Sequence, residues 1–468
     1  MHDVEQLIDG TWGPGSGTRQ LTVLNPADGQ PVTTVAVASE SDVAAAVKAA
    51  RAAAPGWART APAARAAALH AAANAVEAAA DELAEIMNAE MGKPVGGARD
   101  SIGAGVGTLR QYAELGPTHR GRSLAGNDEA IDLMAYAPRG VVAAITPWND
   151  PVAVSCGLLG AALVTGNTVV YKPSERTPAT GWRLAQILAP HFPTAVLSLL
   201  SGDAPVGAAL AEADVDVVAH VGSTATGRAI AAACARTGAK ALLENGGSDP
   251  LIVDADVDPA WAAQQTALGA FANSGQICVA VERVYVHRDV AEPFLEALTA
   301  EAGTWAADIG PLVDTRLREA VHAQVSAAVE AGARVLTGGT VPDGPGAHYP
   351  PTVLADCTDD MPVVREETFG PVAPVVVVDS FTEALTRAAD SPYGLAATVL
   401  TGSMSHAQQA WRELPAGTVK INAAFGGAPG GAAHPRRGSG QGFGYGPELL
   451  DEMTVTKAVH IEAPPAGW

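Results

Sequence analysis

Between residues 140 and 253 the sequence alternates short apolar runs with longer stretches of helical character. This feature constrains the fold most, because parallel strands need crossover connections that are usually helices. The strand candidates are Gly140–Thr146, Thr168–Lys172, Ala195–Leu200, Val215–Val221 and Leu251–Val253. The helical stretches lie near 152–165, 179–189, 204–212 and 225–236. The pattern predicts βαβ units and a parallel sheet covered by helices on both faces.

The flanking segments extend this prediction. Upstream, short strands are predicted at 7–10, 22–26 and 32–37, and Ala-rich helices over 42–54, 63–80, 81–91 and 97–114. Pro55-Gly56 is expected to end the first of these helices. Downstream, a second α/β stretch runs from about 258 to 425, with strands near 282–286, 375–378 and 398–400, then a Gly-rich loop over 426–446 and a strand over 453–461.

Composition excludes several classes of protein. Of 468 residues, 48% are hydrophobic and 17% charged, which is a globular composition and excludes a disordered chain. The balance of 29 Lys and Arg against 50 Asp and Glu gives a net charge of −21. Such an acidic chain repels phosphate backbones and anionic lipid, so neither a nucleic-acid nor a membrane partner is predicted.

Cysteine usage and the N-terminal sequence bear on location. Four cysteines without a CxxC pair predict no disulfide scaffold, and the scattered histidines lack an HExxH motif, so no metal site is predicted. The first residues lack the basic and apolar regions of a signal peptide, and the apolar runs are shorter than the roughly 20 residues of a membrane helix. We therefore expect a cytoplasmic protein.

Polar and small residues follow three predicted strands, where a parallel sheet binds its ligands. The segments are Thr146-Pro147-Trp148-Asn149, Lys172-Pro173-Ser174-Glu175 and Gly222-Ser223-Thr224-Ala225-Thr226-Gly227. The third opens a helix, whose free N–H groups and dipole bind phosphate. It is not a P-loop, and no GxGxxG motif occurs. The sequence indicates a nucleotide site without the usual fingerprint; the alternative for this element is a tight βα turn.

Lys172 and Glu175 suit the ribose of a nucleotide. A carboxylate at Glu175 accepts hydrogen bonds from ribose hydroxyls and disfavours a 2′-phosphate, which favours NAD over NADP. The alternative is a solvated Lys–Glu pair.

Cys278 is the cysteine whose surroundings indicate chemistry. A lone cysteine is usually a small buried hydrophobe, and Cys156, Cys234 and Cys357 are predicted to be structural. Cys278 instead ends the polar segment 271–278, and Glu244-Asn245-Gly246-Gly247 precedes it in the chain. The Gly-Gly pair beside a carboxylate permits close approach of a ligand.

Together these segments resemble the aldehyde dehydrogenase superfamily, in the right order over nearly the whole chain. Six motifs carry the resemblance: Pro147-Trp148-Asn149, Lys172-Pro173-Ser174-Glu175, Gly222-Ser223-Thr224 with Gly227, Glu244 with Gly246-Gly247, Phe271 through Gly275-Gln276 to Cys278, and Glu366-Glu367-Thr368-Phe369-Gly370-Pro371-Val372. The closing residues Asn422, Pro429-Gly430-Gly431 and Ser439-Gly440 resemble the family's C-terminal pattern in a looser form.

The resemblance implies oxidation of an aldehyde to a carboxylic acid with NAD(P)⁺ and water. Cys278 is then the nucleophile that forms a thiohemiacetal and a thioester, Asn149 and the Cys278 backbone N–H hold the oxyanion, and Glu244 activates water. The implied cofactor is NAD, with NADP as the alternative. Its implied contacts are Thr146, Pro147, Trp148, Lys172, Ser174, Glu175, Gly222, Ser223, Asn245, Glu367 and Phe369.

The resemblance also implies an α/β, aldehyde dehydrogenase-like fold: two Rossmann-like parallel-sheet domains plus a small β oligomerisation arm. The expected boundaries are 1–115 and 139–246 for the dinucleotide-binding domain, 247–446 for the catalytic domain, and 116–138 with 447–468 for the arm. Such an arm implies a homodimer or a homotetramer.

Departures from the family pattern bear on the substrate. Asp150 follows Asn149 where Tyr or Phe is usual, at a position that faces the aldehyde tunnel in the family. Asp150 is predicted to recognise a cationic or hydroxyl-bearing aldehyde, or alternatively to cap the helix that begins at Pro151. The other predicted tunnel residues are small or apolar: Val154, Gly157, Ile277 and Val279. Asn245 replaces a common Leu, Ser248-Asp249 replaces Lys-Ser, and the C-terminal loop lacks the common Gly-Arg-Glu run.

Two alternative functions remain open from the sequence. One is a CoA-acylating dehydrogenase, in which CoA resolves the thioester; Glu244 argues against it, because such enzymes need no water-activating base. The other is a non-catalytic descendant that keeps the fold and binds a dinucleotide. Intact Cys278, Glu244 and Asn149 argue against that alternative.

Overall fold

A computed structural model describes residues 1–426, 431–432 and 434–464. Pro429 and Gly430 of the closing pattern lie outside these residues. The strands are β1 (His2–Val4), β2 (Gln6–Ile8), β3 (Thr11–Gly13), β4 (Gln20–Leu24), β5 (Pro31–Ala36), β6 (Arg122–Leu124), β7 (Ala130–Pro138), β8 (Val141–Ile145), β9 (Thr168–Lys172), β10 (Leu197–Leu199), β11 (Val217–Val221), β12 (Lys240–Glu244), β13 (Asp249–Val253), β14 (Val281–His287), β15 (Arg334–Thr337), β16 (Thr352–Ala355), β17 (Val372–Val378), β18 (Ala396–Leu400), β19 (Thr418–Ile421), β20 (Gly440–Gln441) and β21 (Thr454–Glu462).

The α-helices connect and cover these strands. They are α1 (Glu40–Arg59), α2 (Pro62–Ala78), α3 (Ala80–Met91), α4 (Val95–Leu115), α5 (Pro151–Val164), α6 (Pro178–Leu188), α7 (Ala204–Glu212), α8 (Thr224–Thr237), α9 (Pro259–Phe271), α10 (Arg288–Trp305), α11 (Thr315–Glu330), α12 (Pro362–Arg365), α13 (Phe381–Ala389), α14 (Met404–Glu413) and α15 (Glu448–Glu452). None of these described helices combines the length and the apolarity that a bilayer crossing demands.

The first large sheet has eight strands and contains the predicted βαβ region. Five of them run parallel in the order β12-β11-β8-β9-β10, with antiparallel β20 at one edge and the β2–β3 hairpin at the other. Since β8 pairs with β9 on one side and β11 on the other, the strand order reverses between β8 and β11. Ligands of open α/β sheets bind in the crevice at the carboxyl ends of such strands.

The second large sheet has seven strands in the order β15-β16-β17-β14-β13-β18-β19, all parallel except β15. Apolar side chains cover both faces of each large sheet. The central strands are therefore buried along their whole length, as parallel strands with helices on both faces must be. The predicted α/β class with two parallel sheets is confirmed.

A three-stranded antiparallel sheet of β21, β7 and β6 stands apart from the large sheets in the hydrogen-bonding pattern. β7 and β21 pair along their entire lengths, from Pro138 opposite Thr454 to Ala130 opposite Glu462. Four of its large apolar side chains are exposed: Leu124, Ile131, Val455 and Ile461. A further small sheet joins β1, β5 and β4 near the N-terminus.

The first helix differs from its predicted extent. A capping box starts α1, in which Ser39 Oγ accepts from the Asp42 N–H and Asp42 accepts from the Ser39 N–H. The predicted end before Pro55 is wrong, because α1 continues to Arg59. Buried Trp57 in this last turn donates to the Leu163 carbonyl at 2.9 Å, and this packing offsets the hydrogen bond that the proline removes.

Candidate active site

The crevice between β8 and β11 collects two of the predicted segments. Trp148, just past β8, packs edge-on against Phe369 with ring centroids 5.5 Å apart. Ser223 caps α8, and its Oγ accepts from the Thr226 N–H at 3.3 Å. Within the described residues, the buried Thr224 Oγ1 at the start of α8 has no hydrogen-bond partner. Free helix N–H groups and an unpaired hydroxyl fit the pyrophosphate of a dinucleotide.

The end of β9 supplies the next predicted segment to the same edge of the sheet. Lys172 is 3% exposed, and its Nζ donates to the Pro173 carbonyl at 3.1 Å, which leaves two N–H bonds for a ligand. Burial lowers the pKa of Lys172, and the negative charge of Glu175 opposes this shift. Ser174 Oγ accepts from the Arg176 N–H at 3.2 Å. The Thr146 N–H bonds to the Lys172 carbonyl at 3.1 Å, which ties the β8 and β9 segments together.

A strained turn presents Cys278. Asn273, Ser274 and Gly275 adopt positive φ angles of 50°, 58° and 73°. Ser274 Oγ donates to the Gly310 carbonyl at 2.7 Å, and the Gln276 side chain accepts from the Val313 N–H at 2.8 Å. Because left-handed backbone is costly for residues other than glycine, these contacts hold a conformation that the segment would not adopt alone.

Asn149 is fixed against this turn. Its Nδ2 donates to the Gln276 carbonyl at 3.1 Å, and Asn273 Nδ2 donates to the Asn149 carbonyl at 3.3 Å. An amide NH₂ has two hydrogens, so Asn149 keeps one donor for a ligand beside Cys278.

Four carboxyl groups interact electrostatically with the Cys278 thiol: Glu244, Asp249, Glu367 and Asp150. Burial, followed by these negative charges, raises the pKa of the Cys278 thiol to about 12. Burial also raises the pKa of Glu244 to about 8 and that of Glu367 to about 7. A carboxyl group with a pKa near neutrality suits general acid–base chemistry.

Glycines bring these groups close together. A Cβ at residue 444 would collide with the Glu244 carboxylate, and a Cβ at residue 246 would collide with the Glu367 carboxylate. The Gly247 N–H donates to Glu367 Oε1 at 3.0 Å. Gly246 and Gly247 therefore allow the Glu367 carboxyl group of this chain to lie close to the backbone.

Asn245 is held by the closing segment. Its backbone N–H donates to the Ser439 carbonyl at 2.8 Å, and its Nδ2 donates to the Gly438 carbonyl at 3.1 Å. These bonds give a structural reason for an amide where the family commonly has leucine.

The predicted tunnel residues lie at the start of α5, within α5, and on either side of Cys278 in its turn. Asp150 occupies the N-cap position of α5, but its side chain makes no capping hydrogen bond. It accepts instead from Ser101 Oγ and lies 3.8 Å from Lys93 Nζ. The structure therefore does not support the alternative in which Asp150 serves only as a cap. Among the predicted tunnel residues, three apolar side chains are partly exposed: Val154, Ile277 and Val279.

Sequence reasoning missed two residues of this region. Glu282 accepts from the Thr368 N–H at 2.9 Å and the Phe369 N–H at 3.0 Å, and so holds Phe369 at a positive φ of 53°. Its signal was a carboxylate within the apolar strand β14. Tyr445 packs on buried Gly157, where an added Cβ would lie 3.3 Å from the ring. The small size of Gly157 was the signal for an approaching group.

The remaining cysteines are buried, whereas Cys278 is half-buried. Burial raises the pKa of both Cys156 and Cys357 to about 12. Across the residues that the structure describes, no cluster of three His, Cys, Asp or Glu side chains could hold a metal ion.

Comparison with known proteins agrees with this geometry. The model of the aldehyde dehydrogenase family matches residues 12–459. The 3,6-anhydro-alpha-L-galactose dehydrogenase of Streptomyces coelicolor is 37% identical, over 97% of this chain and 96% of that protein.

Solved structures superimpose closely on this chain. An NAD-dependent aldehyde dehydrogenase from Sinorhizobium meliloti has a TM-score of 0.95 and 33% identity, covering 100% of this chain and 96% of its own. The lactaldehyde dehydrogenase of Escherichia coli has a TM-score of 0.95 and 32% identity, covering 99% of this chain and 100% of its own.

Proposed function

Because this chain belongs to the aldehyde dehydrogenase family and oxidises aldehydes to carboxylic acids with NAD(P)⁺, we propose that Cys278, Asn149 and Glu244 carry out the reaction. The observation that carries the proposal is the hydrogen bond of 3.1 Å by which the Asn149 amide is tied to the Gln276 carbonyl of the Cys278 turn. The Glu244 carboxyl group supports it, because this group interacts electrostatically with the Cys278 thiol. We further propose that the enzyme is hydrolytic and prefers NAD.

The proposed cofactor site follows the crevice described above. Bound NAD(P)⁺ supplies the acceptor for the hydride. The residues proposed to hold it are Thr146, Pro147 and Trp148 along the wall, Gly222 and Ser223 at the pyrophosphate, Lys172, Ser174 and Glu175 at the adenosine ribose, and Glu367, Phe369 and Asn245 at the nicotinamide end. The backbone N–H of Asn245 is already bonded to Ser439, so its carbonyl oxygen is the group available for a carboxamide.

The chain's own residues perform the covalent steps. The Cys278 thiol gives its proton to solvent, and the thiolate forms a bond to the aldehyde carbon as the carbonyl electron pair moves onto oxygen. The free N–H of Asn149 and the Cys278 backbone N–H hold this oxyanion. Loss of hydride from the same carbon leaves a thioester on Cys278. Glu244 then takes a proton from water, the hydroxide attacks, and the thiolate leaves as the acid forms.

NAD(P)H formation without CoA is the direct test. The purified chain is incubated with a panel of alkyl, aromatic, amino- and hydroxy-aldehydes and with either NAD⁺ or NADP⁺. Multiple turnovers without CoA, faster with NAD⁺, are expected. Turnover that requires CoA would support the acylating alternative instead, and cofactor binding without any oxidation would support the non-catalytic one.

We also propose that the sheet of β6, β7 and β21 mediates a homodimer or a homotetramer. Its exposed apolar side chains support this role, because isolated sheets of this size need an apolar partner surface. Sedimentation equilibrium distinguishes the homodimer from the homotetramer, and a monomer would contradict the proposed role of the sheet.

We also propose that the protein works in the cytoplasm, because its four free cysteines suit a reducing compartment.

Glu282→Gln is expected to weaken cofactor binding while sparing the chemistry. The glutamine retains one acceptor oxygen but turns its NH₂ toward a backbone N–H, so one buried donor is left unpaired at a cost of about 1–3 kcal/mol. Phe369 and Glu367 should then lose their fixed positions. We expect KM for NAD⁺ to rise about tenfold or more, with a smaller change in kcat. An unchanged KM would remove Glu282 from this positioning role.

A further inference from the structure

Arg176 carries a charge that the proposed mechanism does not use. It follows Glu175 directly, and its guanidinium carbon lies 5.2 Å from the centroid of the Trp148 ring, which is the distance of a cation–π contact. Only 18% of the Arg176 side chain is exposed. Because burying a charge is costly, a guanidinium in this place requires an opposite charge beside it.

Asp314 supplies that opposite charge. Its Oδ2 lies 3.0 Å from Arg176 Nη2, while its Oδ1 accepts from the Leu317 N–H at 2.7 Å and so caps α11. Burial lowers the pKa of Arg176, and the Asp314 charge opposes this shift, so the guanidinium stays ionised. The helix cap fixes the carboxylate, and the ion pair in turn fixes the guanidinium over the Trp148 ring.

Trp148 is thereby held from both large sheets. Arg176 and Trp148 follow β9 and β8 of the first sheet, whereas Asp314 precedes α11 and Phe369 precedes β17 of the second. The Phe369 ring meets Trp148 edge-on, with the centroids 5.5 Å apart. These four residues, Asp314, Arg176, Trp148 and Phe369, form a continuous row of contacts that we call the Trp148 clamp.

One end of the Trp148 clamp is tied to the Cys278 turn. The Gln276 side chain accepts from the Val313 N–H at 2.8 Å, and Asp314 is the next residue of the chain. The position of the Trp148 ring is therefore set relative to the turn that carries the nucleophile.

We propose that Arg176 and Asp314 are positioning residues, which fix the Trp148 ring for the dinucleotide before it binds. This inference rests on the proposed cofactor role of Trp148. A side chain that is already fixed loses no freedom when the ligand arrives, so the fixing raises affinity. Arg176 and Asp314 act through the ring and need not touch the cofactor.

Calorimetric titration with NAD⁺ tests this role. Arg176→Met keeps an unbranched apolar stem and removes the charge, so we expect the Kd for NAD⁺ to rise about three- to tenfold. Asp314→Asn keeps a good helix cap and should shift the Kd in the same direction. Arg176→Lys should recover part of the loss, because an ammonium group can still pair with Asp314. The control Arg316→Met removes an exposed arginine that lies 3.8 Å from the same carboxylate, and it should leave the Kd unchanged.

A double-mutant cycle shows whether Arg176 acts through the ring. In a Trp148→Leu background, Arg176→Met should raise the Kd by less than about twofold. An equal rise in both backgrounds would overturn the proposal, as would an unchanged Kd in Arg176→Met. With Trp148 present, KM for NAD⁺ should change more than kcat, because the ring positions the cofactor and takes no part in the covalent steps.

If the wild type binds neither NAD⁺ nor NADP⁺, the proposed function fails, and fluorescence then tests the Trp148 clamp separately. Subtracting the emission of each protein's Trp148→Leu counterpart isolates this ring among the eight tryptophans. Acrylamide should quench Trp148 more strongly in Arg176→Met than in Arg316→Met. Arg176→Lys gives the same comparison if Arg176→Met does not fold. Equal quenching would show that Arg176 does not hold the ring.

Discussion

Cys278→Ala is expected to abolish NAD(P)H formation with every aldehyde, a loss of at least about 10³-fold. No other described cysteine can substitute, because Cys156, Cys234 and Cys357 are buried. The change removes one half-buried sulfur, so the free energy of unfolding should move by less than about 1 kcal/mol. Steady-state rates and thermal unfolding of the variant give the measurement.

Cofactor affinity separates a lost nucleophile from a damaged site. Since the proposed NAD contacts lie on the first sheet and the Glu367 loop, Cys278→Ala should bind NAD⁺ as the wild type does in calorimetry. Cys357→Ala is the matched control and should retain turnover. Iodoacetamide reacts with the thiolate, and the raised pKa of Cys278 keeps that form scarce near neutral pH, so labelling of Cys278 should be slow and should speed up as pH rises, equally in the wild type and in that control. Appreciable turnover by Cys278→Ala would show that another group attacks the aldehyde.

The meeting of the cofactor segments was predictable from sequence because topology alone brings strand ends together. Once 141–145, 168–172 and 217–221 are assigned as parallel strands, their carboxyl ends must share one edge of the sheet. Thr146, Lys172 and Ser223 then lie at that edge. No side-chain detail is needed for this conclusion.

Other features depended on tertiary contacts that a local pattern does not contain. Strand β12, which ends at Glu244, consists of residues that favour helices, and pairing with β11 overrides their preference. Glu282 acts on backbone groups 86 and 87 residues away in the chain. Tyr445 reaches Gly157 only because the closing segment passes over α5.

Glu244→Gln is expected to separate hydride transfer from release of the acid. The first turnover needs the Cys278 thiolate, whereas thioester hydrolysis needs a base for water. We therefore expect a burst of about one NAD(P)H per subunit, followed by a steady state about 10²–10⁴-fold slower than the wild type. Rapid mixing with excess aldehyde measures both phases. The control is Glu413→Gln, which changes an exposed carboxylate on α14. Its burst amplitude and its steady-state rate should equal those of the wild type.

The pH dependence identifies the group responsible. Burial raises the pKa of Glu244 to about 8, so its basic form is scarce well below that pH and dominant above it. Steady-state hydrolysis in the wild type should therefore rise with pH and level off above about 8. The variant should lose this rise, because an amide does not titrate in this range. A rise that persists in Glu244→Gln would assign the base to another group.

Rescue by an external nucleophile decides between two roles for Glu244, since this carboxyl group also interacts with the Cys278 thiol. Hydroxylamine attacks a thioester without help from a protein base, so it should restore turnover in Glu244→Gln if the enzyme stalls at that stage. If the burst itself is slow and hydroxylamine has no effect, Glu244 acts earlier, by deprotonating Cys278. A stalled, hydroxylamine-sensitive acyl-enzyme would place Glu244 at water activation.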